Sequence, residues 1–245
     1  MKYWIANVFI FIQLICFHQN TTAQLNAKDS IFYHKAIQYT ANAYYQNIGD
    51  QATKYNGSQY PGYTVSFSDG HPYFRANVLS KGSITYDGIQ FDNVSILFDE
   101  VMGCVVLQDS SHRIQLVNER LSNFNIHDCN FDRLIKKDND ALLSTGFYQV
   151  LVKGNTSLYK REIKKMVDKY SNSNELAILF EVKEYYYILK NGKYHEINTK
   201  QDLLKQLGDR DTEINEFTKE QQLNFRKEKQ GFMTKVIAYY NQLTH

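Results

Sequence analysis

The sequence predicts an α+β fold that is rich in β-structure. Between Gly82 and Leu121, short apolar runs recur about every ten residues and are separated by polar or glycine-containing turns, which is typical of consecutive antiparallel strands. Beyond Thr199 the apolar residues change to helical spacing. We therefore expect an antiparallel meander that forms a curved sheet or open barrel, with an N-terminal helix and C-terminal helices packed on it.

The first 23 residues have the parts of a secretory signal peptide. Lys2 supplies a positive start, an apolar run follows from Ile5 to Phe17, and small residues lead up to Ala23. The run is shorter than the roughly 20 apolar residues that a membrane-spanning helix needs. We expect cleavage before Gln24 and export to the periplasm or the cell exterior. The mature chain, residues 24–245, is then expected to be a single β-rich domain without a transmembrane helix.

The composition of the chain excludes some classes of function. Its formal net charge at pH 7 is +2 and 43% of its residues are hydrophobic. These are values of an ordinary globular protein, without the basic excess of a nucleic-acid-binding domain. His127 and Cys129 could supply two ligands from one face of a strand, but zinc needs three or four and no second pair appears at metal spacing. We therefore expect neither a nucleic-acid partner nor a metal or other cofactor.

The amino-terminal half is predicted to begin with one helix and to continue as strands. Apolar residues at helical spacing indicate a helix from Lys28 to Gln46. Tyr63–Phe67 alternates apolar and polar residues, which predicts a half-buried strand. Asp87 and Gly88 form a two-residue hairpin signal. Val101–Leu107 is apolar on both faces, which predicts a central strand covered on one side by a helix.

The carboxyl-terminal half is predicted to continue the meander and to end in helices. A charged loop near residues 136–142 is the best place for a subdomain break. Glu162–Tyr170 fits either a short basic helix or the extension of a strand. Asn191 and Gly192 are the strongest hairpin signal in the chain. Thr199 is expected to cap the first of three helices.

The mature chain contains two cysteines, Cys104 and Cys129. An exported protein enters an oxidising compartment, where a disulfide between them can form. Each cysteine also lies in an apolar, strand-like run, which is the pattern of a buried free thiol. The sequence leaves both interpretations open.

Asp69 and His71 are the candidate catalytic residues. The carboxylate stands two residues before the imidazole, and such an acid can orient a general base. A catalytic triad also needs a nucleophile, and the chain has no G-x-S-x-G elbow to supply one. A β-turn in which Pro72 fixes the backbone and His71 is exposed beside it explains the same residues.

Tyr185, Tyr187 and Tyr194 are the candidate ligand-binding residues. Together with Tyr186 they are close enough in sequence to form an aromatic platform for a glycan or a peptide. Aromatic residues also suit half-buried strands. The alternative is therefore that these rings belong to the core.

Three short runs, Tyr55–Tyr60, Gly70–Phe74 and Gly82–Gly88, combine turn residues with aromatic strand residues. Together they resemble uncharacterised exported proteins of Bacteroidetes-type bacteria. The leader ending in Ala23 and Gln24 and a composition rich in Lys, Asn and Tyr agree with that resemblance. Because these motifs are turns and strands, the resemblance implies a shared fold and carries no activity to any residue.

The expected function is non-enzymatic binding in the cell envelope. A curved sheet closed by helices provides a hollow, in which we expect a partner protein or a small apolar ligand to bind. One alternative is a hydrolase that uses Asp69 and His71 or the acids near Asp99. Another is a structural component of an envelope assembly that makes its contacts through exposed tyrosines.

Overall fold

The computed structural model describes residues 35–36, 40, 56–109, 112–137, 142–170 and 176–244. Within these ranges, eleven strands are followed by three α-helices. The strands are β1 (Gly57–Gln59), β2 (Ser80–Tyr86), β3 (Ile89–Asp99), β4 (Cys104–Asp109), β5 (His112–Leu116), β6 (Leu121–Ile126), β7 (Cys129–Leu134), β8 (Gly146–Val152), β9 (Thr156–Tyr170), β10 (Leu176–Lys190) and β11 (Lys193–Glu196). The helices are α1 (Lys200–Gln206), α2 (Asp211–Glu220) and α3 (Lys229–Leu243).

The described strands form one open antiparallel sheet. Its order is β1-β5-β4-β3-β2-β6-β7-β8-β9-β10-β11, so that β1 and β11 are the edges. Two meanders start at the centre, where β2 to β5 run to one side and β6 to β11 run to the other. A short link with a 3-10 turn at Asn118–Arg120 joins them. The predicted meander is confirmed, and the sheet remains open instead of closing into a barrel.

The first half of the sheet curves around its own side chains. Tyr86, at the end of β2, donates a hydrogen bond to the carbonyl of Asn56 (2.6 Å) and accepts one from the N–H of Val117 (3.3 Å). Rings from different strands meet on this concave face, for example Phe124 and Phe131, which stack with centroids 4.6 Å apart. Each large side chain buried here contributes about 1.5–3 kcal/mol. We call this cluster the main core: Phe74, Ile84, Tyr86, Phe91, Val94, Ile96, Phe98, Val105, Leu107, Leu116, Leu121, Phe124, Ile126, Cys129, Phe131 and Phe147.

The segment predicted as a strand, Tyr63–Phe67, is a loop, so that prediction is wrong. Its alternating side chains anchor it to two separate elements. The Tyr63 hydroxyl donates to Asp99 (2.8 Å), and the Phe67 ring lies 4.9 Å from that of Phe180. This loop covers the outer face of β4. The buried residues beneath it form an outer cluster: Tyr60, Tyr73, Leu97, Cys104 and Val106.

The ribbon of β9 and β10 is the longest pair in the sheet. Its strands pair along their whole length, from Leu176 opposite Tyr170 to Lys190 opposite Thr156. The segment from residue 162 to 170, which fitted either a helix or a strand, therefore extends β9. Asn191 and Gly192 turn the chain into β11 with φ angles of 52° and 74°, as the hairpin signal predicts.

Three helices pack on the concave side of β8 to β10, as predicted. Thr199 caps α1 through a capping box, in which its hydroxyl accepts from the N–H of Asp202 (3.1 Å) and the Asp202 carboxylate accepts from the N–H of Thr199 (2.8 Å). None of the helices in the described ranges is both long and apolar enough to cross a membrane. The helices meet the sheet in a helical cluster that includes Leu158, Tyr186, Ile188, Leu203, Leu207, Ile214, Phe232, Met233, Val236, Ile237 and Tyr240.

Several predictions fall mainly outside the described residues. The predicted signal peptide lies there, and so does most of the predicted helix from Lys28 to Gln46, of which residues 35, 36 and 40 are described and helical. The charged loop near residues 136–142 also lies partly outside the described ranges. The strands on either side of that loop, β7 and β8, pair directly with each other.

Candidate binding cleft

One row of side chains crosses the concave face and changes from aromatic to charged. Phe124 on β6 pairs with Phe131 on β7, and Phe131 pairs with Gln149 on β8. Gln149 pairs with Lys160 on β9, and Lys160 pairs with Tyr186 on β10. Directly paired residues point to the same face of a sheet. Lys160 is therefore on the face that carries the main core.

Lys160 is a buried ammonium group held between two carboxylates. Its side chain is 10% exposed, and Nζ lies 2.6 Å from Glu184 Oε1 and 3.0 Å from Glu162 Oε2. Burial alone lowers the pKa of Lys160, but hydrogen bonds to Glu184 and Glu162 outweigh it, and the pKa is raised above its ordinary value. The pKa of Glu184 is lowered, because hydrogen bonds from Lys160 and Tyr186 outweigh the effect of its burial.

Lys164, on the same face of β9, ties the sheet to the chain before β2. Its Nζ donates to the carbonyls of Tyr73 (2.5 Å) and His71 (3.3 Å) and lies 3.1 Å from Glu100 Oε2. The Glu100 side chain is 1% exposed. Burial, followed by the charge of Glu162, raises the pKa of Glu100 to about 7 even though Lys164 acts in the opposite direction.

A cavity of about 510 Å³, which we call the cleft, opens beside these ion pairs. It lies between the loop at residues 69–75, the strands β8 to β10 and Gln230 in the first turn of α3. Its polar lining includes Asp69, His71, Arg75, Gln149, Lys160, Glu162 and Lys164. Its apolar lining consists of Phe74, Leu179, Phe180 and Val182.

Asp69 and His71 both line the cleft, but they do not form a pair. No hydrogen bond joins them in the part of the chain that the structure describes. The Nδ1 atom of His71 is buried there without a hydrogen-bond partner, and its ring stacks on Tyr73 with centroids 6.2 Å apart. Burial, followed by the charge of Lys164, lowers the pKa of His71. Both effects disfavour the charged form of this imidazole.

Asp99 is a fully buried carboxylate that fixes the loop over β4. It accepts hydrogen bonds from the hydroxyls of Tyr60 (2.6 Å) and Tyr63 (2.8 Å). It also accepts from the N–H groups of Val101 and Met102, both at 2.9 Å, which fix the turn between β3 and β4. Burial, followed by the hydrogen bond to Asp99, raises the pKa of both tyrosines. These contacts hold the loop from which His71 reaches the cleft.

The predicted tyrosine platform lies on the opposite face of the sheet from the cleft. Tyr187 is 6% exposed, and its ring lies 5.7 Å from that of Tyr148. The ring of Tyr194 lies 6.1 Å from that of Tyr159, and half-buried Tyr185 packs against the same cluster. The ring of Tyr187 thus belongs to a core cluster instead of an open surface.

Cys104 and Cys129 are both buried with free thiols. Cys104 belongs to the outer cluster, whereas Cys129 belongs to the main core, where Gln149 Nε2 donates to its sulfur (3.2 Å). Burial, followed by the charge of Asp99, raises the pKa of Cys104 to about 12. Because the two side chains leave opposite faces of the sheet, a bridge between them would require the backbone to rearrange.

Sequence analysis did not single out the ion pairs that border the cleft. Lys160, Glu162 and Lys164 occupy alternate positions, and this spacing puts three charges on one face of a strand. The sequence also allowed a helix from Glu162 to Tyr170, and in a helix Glu162 would have pointed away from Lys164. Glu100 was noted only as one of the acids near Asp99, since nothing in the sequence shows its burial.

Glu100 is expected to make the folded protein less stable as the pH rises. Its pKa is raised from 4.5 to about 7, so between these values the folded state holds a proton that the unfolded chain has lost. The free energy of unfolding should therefore fall by about 3 kcal/mol as the pH increases through this range. His71, whose pKa is lowered, contributes with the opposite sign. Urea unfolding at about pH 5 and about pH 8 measures the net change in the free energy of unfolding to which both groups contribute.

Glu100→Gln is the control, because it cannot titrate. The pH dependence of its stability should lack the part that comes from Glu100. Its free energy of unfolding should therefore fall less with rising pH than that of the wild type, or should even increase. Equal pH dependence in the two proteins would show that Glu100 has an ordinary pKa.

Neither a metal site nor a likeness to other proteins points to a function. In the described ranges, no group of three or more His, Cys, Asp or Glu side chains is placed to hold a metal ion. Comparison with protein-family models, curated proteins and solved structures finds no match. The functional conclusion therefore depends on the cleft and its lining.

Proposed function

We propose that this chain is an exported, non-enzymatic protein of the cell envelope that binds a small ligand in the cleft. The main core occupies the hollow of the curved sheet, so the ligand would contact the concave face beside that core. The main support for this proposal is the lining of the cleft, in which buried ion pairs form one wall and Phe74, Phe180 and Val182 form another. A volume of about 510 Å³ is within the usual range of small-molecule sites. This lining suits a ligand with an apolar body and a polar end.

The geometry supports binding better than hydrolysis. A hydrolase would need a general base within reach of the group it deprotonates. Asp69 and His71 share the cleft without a hydrogen bond between them, and the described residues place no nucleophile against the His71 ring. Glu100 has a pKa of about 7, as a general base would need, but its side chain is 1% exposed and its Oε2 atom is paired with Lys164.

The test uses 8-anilinonaphthalene-1-sulfonate, a probe with an aromatic body and one sulfonate group. Its fluorescence should rise on saturable binding to the purified protein. Val182→Trp should weaken this binding by about tenfold or more, because the indole would occupy part of the cleft. Val182 is 50% exposed, so the fold should accept the larger side chain.

Val78→Trp is the matched control. Val78 is 63% exposed and does not line the cleft, so this variant should bind the probe like the wild type. The proposal fails if the wild type shows no saturable binding, or if the two tryptophan variants bind equally well. Thermal unfolding of both variants checks that neither has lost its fold.

A further inference from the structure

Arg133, on β7, is a nearly buried guanidinium group without a buried partner. Its side chain is 12% exposed, and it pairs across the sheet with Phe147 of the main core. Its Nη2 atom lies 3.6 Å from Glu119 Oε1, but the Glu119 side chain is 74% exposed. Arg133 donates no side-chain hydrogen bond to any described residue. Because a charge removed from water normally has a close, hydrogen-bonded partner, this arrangement points to an anionic group from outside the fold.

The Arg133 side chain opens onto a second cavity, of about 330 Å³, which we call the arginine pocket. Phe98, Phe147 and Ile163 give it apolar walls. Glu162 lines both this pocket and the cleft, so the two cavities are neighbours on the concave face. The pocket is large enough for a small molecule but not for a folded segment of a partner.

Glu100, Glu119 and Glu162 supply negative charge in the same pocket, and Arg161 supplies a second guanidinium group, which donates to the carbonyl of Ser144 and the hydroxyl of Tyr148. The Oε2 atom of Glu100 lies 3.1 Å from Lys164, and the Oε2 atom of Glu162 lies 3.0 Å from Lys160. The Glu162 side chain is 21% exposed, so its carboxylate can accept a hydrogen bond from a ligand, whereas the Glu100 side chain is 1% exposed and contributes only its charge. A pocket that combines guanidinium groups and carboxylates with aromatic walls is complementary to a ligand that carries both charges and an apolar group.

We propose that the arginine pocket binds a free α-amino acid with an apolar side chain. Arg133 pairs with the carboxylate of the ligand, and Glu162 accepts a hydrogen bond from its ammonium group. Phe98 and Phe147 contact its side chain. The arginine pocket is a different cavity from the cleft. The proposal made here does not depend on the one made for the cleft.

Three probes with the same phenyl group test the proposal by isothermal titration calorimetry at about pH 8, where Glu100 is ionised. Phenylalanine carries both charges, 3-phenylpropionate carries the carboxylate alone, and 2-phenylethylamine carries the ammonium alone. Phenylalanine should bind about tenfold or more tightly than either of the others, since charged hydrogen bonds contribute at both ends. Arg133→Gln should weaken phenylalanine and 3-phenylpropionate by about tenfold and leave 2-phenylethylamine unchanged.

Two further variants keep the result interpretable. Glu162→Gln should weaken the binding of phenylalanine and 2-phenylethylamine but not of 3-phenylpropionate. The two singly charged probes thus respond in the opposite way to Arg133→Gln. Lys153→Gln is the matched control. Lys153 is likewise 3.6 Å from its acidic partner, Asp132, but it lies outside the pocket. This variant should bind all three probes as the wild type does.

The proposal is overturned if the three probes bind equally, if none binds, or if Arg133→Gln and Lys153→Gln behave alike. Val182→Trp, which blocks the cleft, should leave phenylalanine binding intact, so a failure of this site and a failure of the cleft are distinguishable. Should Arg133→Gln not fold, the Glu162→Gln pattern with the three probes decides the question.

Discussion

Replacing Asp99 with alanine should lower the free energy of unfolding by about 4 kcal/mol. The substitution removes the acceptor of two tyrosine hydroxyls and of two backbone N–H groups. Each polar group left buried without a partner costs about 1–3 kcal/mol, and the effect is limited because the Tyr63 side chain is partly exposed. The loop over β4 should loosen as well, since both tyrosines anchor it to the sheet.

Urea unfolding followed by circular dichroism measures this effect. Asp92→Ala is the matched control, because Asp92 lies on the same strand, β3, but is exposed. We expect the control to change the free energy of unfolding by less than about 0.5 kcal/mol. A loss below about 1 kcal/mol in Asp99→Ala would mean that the buried network does not hold the loop.

Replacing Lys160 with methionine should cost about 3 kcal/mol of stability. Methionine has a similar length but no charge, so Glu162 and Glu184 lose their shared cation. The cost should be at the lower end for a broken buried ion pair, because the Glu184 side chain keeps 43% exposure and can be hydrated. Lys153→Met is the control, since Lys153 is 76% exposed and should contribute less than about 1 kcal/mol.

A double variant separates the loss of the ion pair from the loss of packing. Adding Glu184→Gln to Lys160→Met should recover about 1 kcal/mol, because it removes one of the two carboxylates left without a cation. If Lys160→Met were as stable as the wild type, the buried ion pairs would make no net contribution to the fold.

Local chemistry explains why much of the fold could be predicted from the sequence. Asp87 with Gly88, and Asn191 with Gly192, have the positive φ angles that their residue types allow. A third two-residue turn of the same kind, at His127 and Asp128, has φ angles of 51° and 59° but no glycine, and the sequence did not reveal it. Turn prediction therefore succeeds where a residue type alone determines the backbone conformation.

The errors came from contacts between residues that are far apart in the chain. Tyr63–Phe67 has the alternation of a strand, but its side chains anchor a loop to Asp99 and Phe180. The site could not be predicted for the same reason. Glu184 contacts Lys160 through the register between β9 and β10, and the buried Glu100 meets Lys164 from a distant part of the chain. Periodicity carries no information about such pairings.

The order of strands in the sheet has a consequence for how the chain folds. Every strand pair except β2 with β6 and β1 with β5 joins neighbours in sequence, so each meander can form from local hairpins. The seam between the meanders is the β2–β6 ladder, where Gly82 lies so close to the Asn125 carbonyl that a Cβ atom would clash with it. The main core contains side chains from both meanders, so it is complete only when they meet at this seam, and that meeting carries the entropy cost of closing the chain between β2 and β6.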